Sequence, residues 1–204
     1  KCYLPAVEMF TGLIARHKRF KITLGMSGTF LEQAQQYRPE VIQALQALHE
    51  AGREGDRVEF LSETYYHSLA SLFEDPRKQE FRDQVSLHRD LIRKLFGVFP
   101  TSFRNTELMY NNRIAEVVAD MGYASILCEK RDDMFTGAAV PISPNAVFRA
   151  AGSPLVVLPR NRELSDDVAF RFSNRAWSEY PLTAEKFAAC AISSSEGSRS
   201  RFPL

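Results

Sequence analysis

The sequence predicts an α/β protein with a parallel sheet, and three observations predict it. Short, apolar, strand-like segments alternate with longer segments of helical periodicity. Gly, Pro, Asn and Asp punctuate the junctions between them. The polar residues best suited to chemistry fall just after strand-like segments, where a parallel barrel or an open parallel sheet carries its functional groups.

Residues 20–26 alternate apolar with charged or small side chains, the period of a half-buried strand, and Gly25 and Gly28 close it. Pro39 suits the first turn of a helix whose Val41, Ile42, Leu45 and Leu48 share one face, with Gly52 as its stop. Residues 57–61 read as a second strand. Asp75 and Pro76 are placed to open a long amphipathic helix, in which Phe81, Val85, His88, Ile92 and Leu95 recur at helical spacing up to Gly97. Residues 101–104 form the next candidate strand. Asn111 or Asn112 then opens a helix carrying Ile114, Val117, Val118 and Met121 before Gly122. Residues 124–128 and 155–158 complete the strands, and 129–146, rich in Asp, Gly and Pro, read as a loop between them. The Ser- and Arg-rich stretch 193–201 reads as a flexible tail.

A length of 204 residues suits one domain with a sizeable core. Hydrophobic residues at 45% and charged residues at 25% exclude a disordered or collagenous chain, and leave enzyme and binding module both open. With 26 Lys+Arg against 25 Asp+Glu and no basic run, nothing marks a nucleic-acid partner. Cys2, Cys128 and Cys190 lie far apart, without the spacing of a zinc site, and fit a reducing, cytoplasmic setting. No export leader or membrane-spanning run is signalled. The Gly25 to Gly28 segment is too short for a phosphate-binding fingerprint, so no nucleotide cofactor is expected.

Three clusters carry potential chemistry. The run FRNTE at 103–107 sets Glu107 and Arg104 between a strand and the next helix. There Glu107 reads as a nucleophile or acid, or as a first-turn glutamate that favours the helix macrodipole, and spacing alone favours the latter. Asp166 and Asp167 follow the strand at 155–158, and a carboxylate there could serve as the proton donor of glycoside hydrolysis. For Asp166, capping of a short helix with Ser165 is the stronger reading. Residues 58–67 bring Glu63, Tyr65, Tyr66 and His67 to the end of a strand, either as a wall suited to sugar rings or as core aromatics. Trp177 admits the same two readings. His88, on an apolar helix face, reads as a satisfied core histidine without a role.

The segments CYLP (2–5), FLSETYYHS (60–68), FRNTEL (103–108) and LSDDVAFRFS (164–173), in that order, resemble glycoside hydrolase family 57, closest to its α-amylase-like branch. The resemblance runs to about residue 187 and implies a catalytic domain over 1–187, an incomplete (β/α)7 barrel of the glycoside hydrolase/deacetylase type, with 188–204 as a flexible non-family tail. It implies retaining action on α-glucans through a glycosyl-enzyme intermediate, with neither metal nor organic cofactor. Glu107 falls on the family's nucleophile and Asp167 on its acid/base, with Asp166 as the fallback. Glu59 falls on the acidic position of the second motif, at the substrate-binding floor, while Tyr65, His67, Arg104 and Trp177 are expected as lining. The family's opening His-Gln-Pro motif and its last motif find no match, which implies a fragment. An inactive carbohydrate-binding homologue is the alternative, and a metal-dependent deacetylase is disfavoured because the four histidines form no ligand set.

Overall fold

The computed structural model describes residues 2–130 and 143–199. Its first element is one for which the sequence reading has no counterpart. Leu4, Val7, Phe10 and Ile14 recur at helical spacing, and the chain forms helix α1 over Tyr3–Arg16, burying Val7 and Ile14. Strand β1 is Ile22–Leu24, and Ser27 then caps helix α2, Gly28–Tyr37, by accepting the Phe30 N–H at 3.3 Å. Gly28 is required there: a Cβ would stand 2.5 Å from the Tyr65 ring.

Helix α3, Pro39–Gly52, buries the predicted Val41, Ile42, Leu45 and Leu48. Strand β2 is Val58–Phe60. Just before it, Arg57 donates to the carbonyls of Ile14 at 2.6 Å and Ala51 at 3.1 Å, satisfying chain-end acceptors of α1 and α3 together. Helix α4, Gln79–Phe96, starts later than the Asp75-Pro76 signal, after Lys78 in a left-handed conformation. Asp75 still serves the start, since its carboxylate accepts the N–H groups of Arg77 and Gln79.

Strand β3, Ser102–Arg104, leads through a tight turn at Thr106–Leu108 into helix α5, Asn112–Asp120, which Asn111 caps. Strand β4 is Ser125–Cys128, β5 is Phe148–Arg149 and β6 is Val156–Pro159. Most of the loop expected at 129–146 lies outside the described residues. Beyond β6 come a short helix α6, Arg162–Asp166, a π-helical turn at Asp167–Arg171 and helix α7, Ala184–Arg199. Helix α7 occupies most of the stretch read as a flexible tail. There Ser193 donates its hydroxyl to the Ala189 carbonyl, one turn back along the helix.

Strands β1 and β2 pair in parallel, as do β3 with β4 and β4 with β6, while β5 closes the far edge antiparallel to β6. Ser62 joins the two sheets, donating its N–H to Ser102 O and accepting from the Arg104 N–H. The order is therefore β1-β2-β3-β4-β6-β5. Two cores lie on the helix side of this sheet. One gathers Ile14, Leu31, Leu48, Phe60 and Ile92, the other Phe81, Val85, Phe103, Val117 and Ile126. Helix α4 contributes to both and is the joint between them. Side chains that alternate with these, such as Glu59 between Val58 and Phe60, project from the opposite face. Among the described residues no helix is long and apolar enough to cross a membrane.

Candidate active site

The polar residues gather beyond the carboxyl ends of β1, β2 and β3. After β2 the run Ser62-Glu63-Thr64-Tyr65 is buried although it is polar, and each member has a partner. Tyr123 donates its hydroxyl to Ser62 Oγ at 2.7 Å, and Thr64 Oγ1 lies 2.8 Å from Thr106 Oγ1, tying the β2 loop to the β3 turn. The Tyr65 hydroxyl donates to Glu32 at 2.6 Å. Burial, reinforced by that carboxylate, raises the phenol's pKa above its usual value.

After β3, Asn105 is fully buried and organises the turn. Its amide donates to Ser71 Oγ and Met109 O, and its Oδ1 accepts the Thr106 N–H. The two residues held between these anchors, Glu107 and Leu108, have φ of +53° and +54°. Non-glycine residues reach this left-handed region at a cost, and such strain collects at functional sites. Leu108 turns inward while the Glu107 side chain is 74% exposed, so the strain presents this carboxylate. Glu107 therefore belongs to the β3 turn and not to the first turn of α5, which begins at Asn112.

His67, also left-handed at φ +53°, faces Glu107: its Nε2 lies 3.8 Å from Glu107 Oε1. Its Nδ1 lies 3.2 Å from Oε2 of the buried Glu63. Behind them His88 accepts the Glu63 N–H at Nδ1 (3.4 Å) and meets Met26 O at Nε2 (2.7 Å), which makes Nε2 the protonated nitrogen. Burial lowers the pKa of His88, against the opposing influence of the Met26 carbonyl and the Glu63 charge. Gly25 adjoins the group, because a Cβ there would sit 3.5 Å from Glu63 Oε1 and 4.0 Å from Arg104 Cδ.

Of the expected residues the structure thus brings together Glu107 and His67, with the Arg104 side chain beside Gly25. Glu59 sits lower on β2, accepting hydrogen bonds from Thr23 and Ser102. Tyr65, expected as lining, is instead a buried packing residue, and the exposed ring is its neighbour Tyr66. Asp167 is buried in the turn after β6 and paired with Arg171, whose pKa the carboxylate raises. Asp166 pairs with Arg162 at 3.6 Å, and it is Asn161, not Ser165 or Asp166, that caps α6. Trp177 is half-buried in the turns that follow, its backbone N–H bonded to Asn174 O.

Sequence reasoning assigned no role to His88, nor to Glu129 and Arg160. The last two leave the ends of β4 and β6 and pair at 2.8 Å, with the Glu129 N–H bonded to Leu108 O beside the Glu107 turn. Glu129 Oε1 and Arg160 Nε are shielded from solvent without a hydrogen-bond partner, two of three such side-chain atoms among the described residues. Only their place after strand-like segments could have marked them.

A polar cluster at the carboxyl ends of parallel strands, around a strained carboxylate, occupies the place where α/β barrels carry their functional groups. The sequence profile described as glycosyl hydrolase family 57 matches residues 1–202, and the chain belongs to that family. It is 39% identical over 188 residues to a Methanocaldococcus jannaschii protein named "Putative alpha-amylase", a match covering 92% of this chain and 38% of that protein's length. A 4-alpha-glucanotransferase from Thermococcus litoralis has a similar structure, with a TM-score of 0.65 at 18% identity, over 82% of this chain and 25% of the other. A family 57 branching enzyme from Thermococcus kodakaraensis gives 0.63 at 14%, over 87% and 43%. The fold is that of the (β/α)7 barrel, of which the described strands form an open part. The chain spans less than half the length of each of these proteins.

Proposed function

We propose that this chain carries the site of a retaining glycoside hydrolase or transglycosylase acting on α-glucans, with Glu107 as its nucleophile. The carrying observation is Glu107, held exposed by a strained turn at the end of β3 beside His67. Family membership and the activities in the relatives' names support the same reading. In this mechanism Glu107 attacks the anomeric carbon as the bond to the leaving sugar breaks, and a protonated carboxyl gives its proton to the leaving oxygen. Water or an acceptor hydroxyl then displaces Glu107, losing a proton to that same carboxylate. Exposed Tyr66 and Phe73, in the segment after β2, suit the apolar faces of sugar rings. The free cysteines Cys2, Cys128 and Cys190 support a cytoplasmic setting.

Asp167 is the proposed acid/base on its correspondence to the family motif. Its bond to Arg171 must open for it to donate a proton, so its role is tested separately. Hydrolysis of an activated aryl α-maltooligosaccharide is expected to vanish in Glu107→Ala. In Asp167→Asn the kcat/KM is expected to persist on that substrate, whose leaving group needs little protonation, and to fall about 10²-fold or more on unactivated glucan, while kcat falls on both because the base of the second step is lost. Equal losses of kcat/KM on both substrates, with a lowered melting temperature, would make Asp167 a structural partner of Arg171.

A further inference from the structure

We propose that Glu63 and His67 form a positioning dyad for Glu107, an inference that rests on reading Glu107 as the nucleophile. Glu63 Oε2 lies 3.2 Å from His67 Nδ1, and a carboxylate there accepts that nitrogen's proton in a hydrogen bond. This fixes the ring so that Nε2 faces the Glu107 carboxylate at 3.8 Å. With Nδ1 committed to Glu63, the ring cannot swing away, and Nε2 is held facing Glu107 where it can aim that carboxylate.

The surroundings are built for this placement. Glu63 is buried, with its side chain 3% exposed, a position a carboxylate keeps only with committed partners. Its backbone N–H is fixed by His88, which spans from α4 to Met26 after β1. The Thr64–Thr106 hydrogen bond of 2.8 Å joins the residues next to Glu63 and Glu107, so the two loops keep a fixed offset. Glu107 adopts a left-handed backbone conformation that is uncommon for glutamate, and His67 adopts the same conformation opposite it. A lining residue requires none of this, whereas a residue that must hold one nitrogen on each of two carboxylates does. His67 is thus a positioning residue.

The test combines a readout of the ring with a readout of turnover, on the whole chain. Long-range nitrogen-proton NMR of the histidines is expected to show His67 with a proton on Nδ1, its signal shifted in Glu63→Gln. On the activated aryl substrate, His67→Gln and Glu63→Gln are expected to lower kcat about 10²-fold, with KM within about twofold and unchanged melting. A ring protonated at Nε2 alone, or variants that turn over at the wild-type rate, would overturn the dyad. A chain with the expected Nδ1 proton whose hydrolysis survives Glu107→Ala would overturn instead the reading of Glu107, leaving the dyad nothing to position.

Discussion

Glu107 shows how one residue trades stability for presentation. Its left-handed backbone costs about 1–2 kcal/mol, a cost glycine does not bear. Glu107→Gly is therefore expected to gain about 1 kcal/mol after glycine's own entropic penalty, raising the melting temperature while abolishing turnover. A less stable variant would show that the side chain holds the turn. His88 gives a pH dependence with a definite sign. Its folded-state pKa lies below the ordinary imidazole value near 6.5, so the unfolded chain binds the proton more readily. Its contribution is complete above about pH 6.5 and is lost as pH falls toward the folded-state value. The melting temperature is expected to drop over that window, with a flatter profile in His88→Gln; an equally steep one assigns the effect elsewhere. The sequence shows Glu107 at a strand end and His88 on an apolar face. It does not show the positive φ, because Glu is not a residue that announces one, nor the His88 partners Met26 and Glu63, which are brought to it only by the β1 and β2 ends.

At the scale of elements, legibility followed periodicity. Helices α3, α4 and α5 and strands β1, β2, β3, β4 and β6 carry clean apolar patterns with Gly or Asn at their limits, and their positions follow from sequence. Helix α2 does not, because Gly28 reads as a strand terminator when it is in fact the first residue of a helix pressed against Tyr65. Gly28→Ala puts a methyl 2.5 Å from that ring and is expected to cost about 1–3 kcal/mol by forced repacking, measurable in chemical denaturation. No loss would mean that α2 shifts freely. Strand β5 has only two residues, too few for any pattern, and pairs by position alone. The α6 cap falls to Asn161 because the helix begins before the Ser-Asp signal rather than after it.

At the scale of the whole molecule, the sheet is open among the described residues. Strand β1 pairs only with β2, and beside it lies an apolar groove of about 350 Å³ lined by Val7, Phe10, Leu24, Phe30 and Leu45. An unpaired parallel edge beside exposed apolar surface favours association. Sedimentation is expected to show concentration-dependent self-association, and a clean monomer at high concentration would show the edge to be protected. The barrel class was legible from alternating elements together with four short motifs. The candidate site was legible where a motif marked it: Glu63, His67 and Glu107 meet beyond the ends of β2 and β3, whereas Glu129 and Arg160 were hidden because pairing across strands leaves no local pattern. The central claim is that Glu107 forms the bond to sugar. Its most direct measurement is peptide mapping by mass spectrometry after reaction with a fluorinated α-glucosyl fluoride that slows release of the intermediate. A sugar mass on the peptide containing Glu107, absent from Glu107→Gln, is the predicted result, and a sugar attached to any other carboxylate would contradict the account.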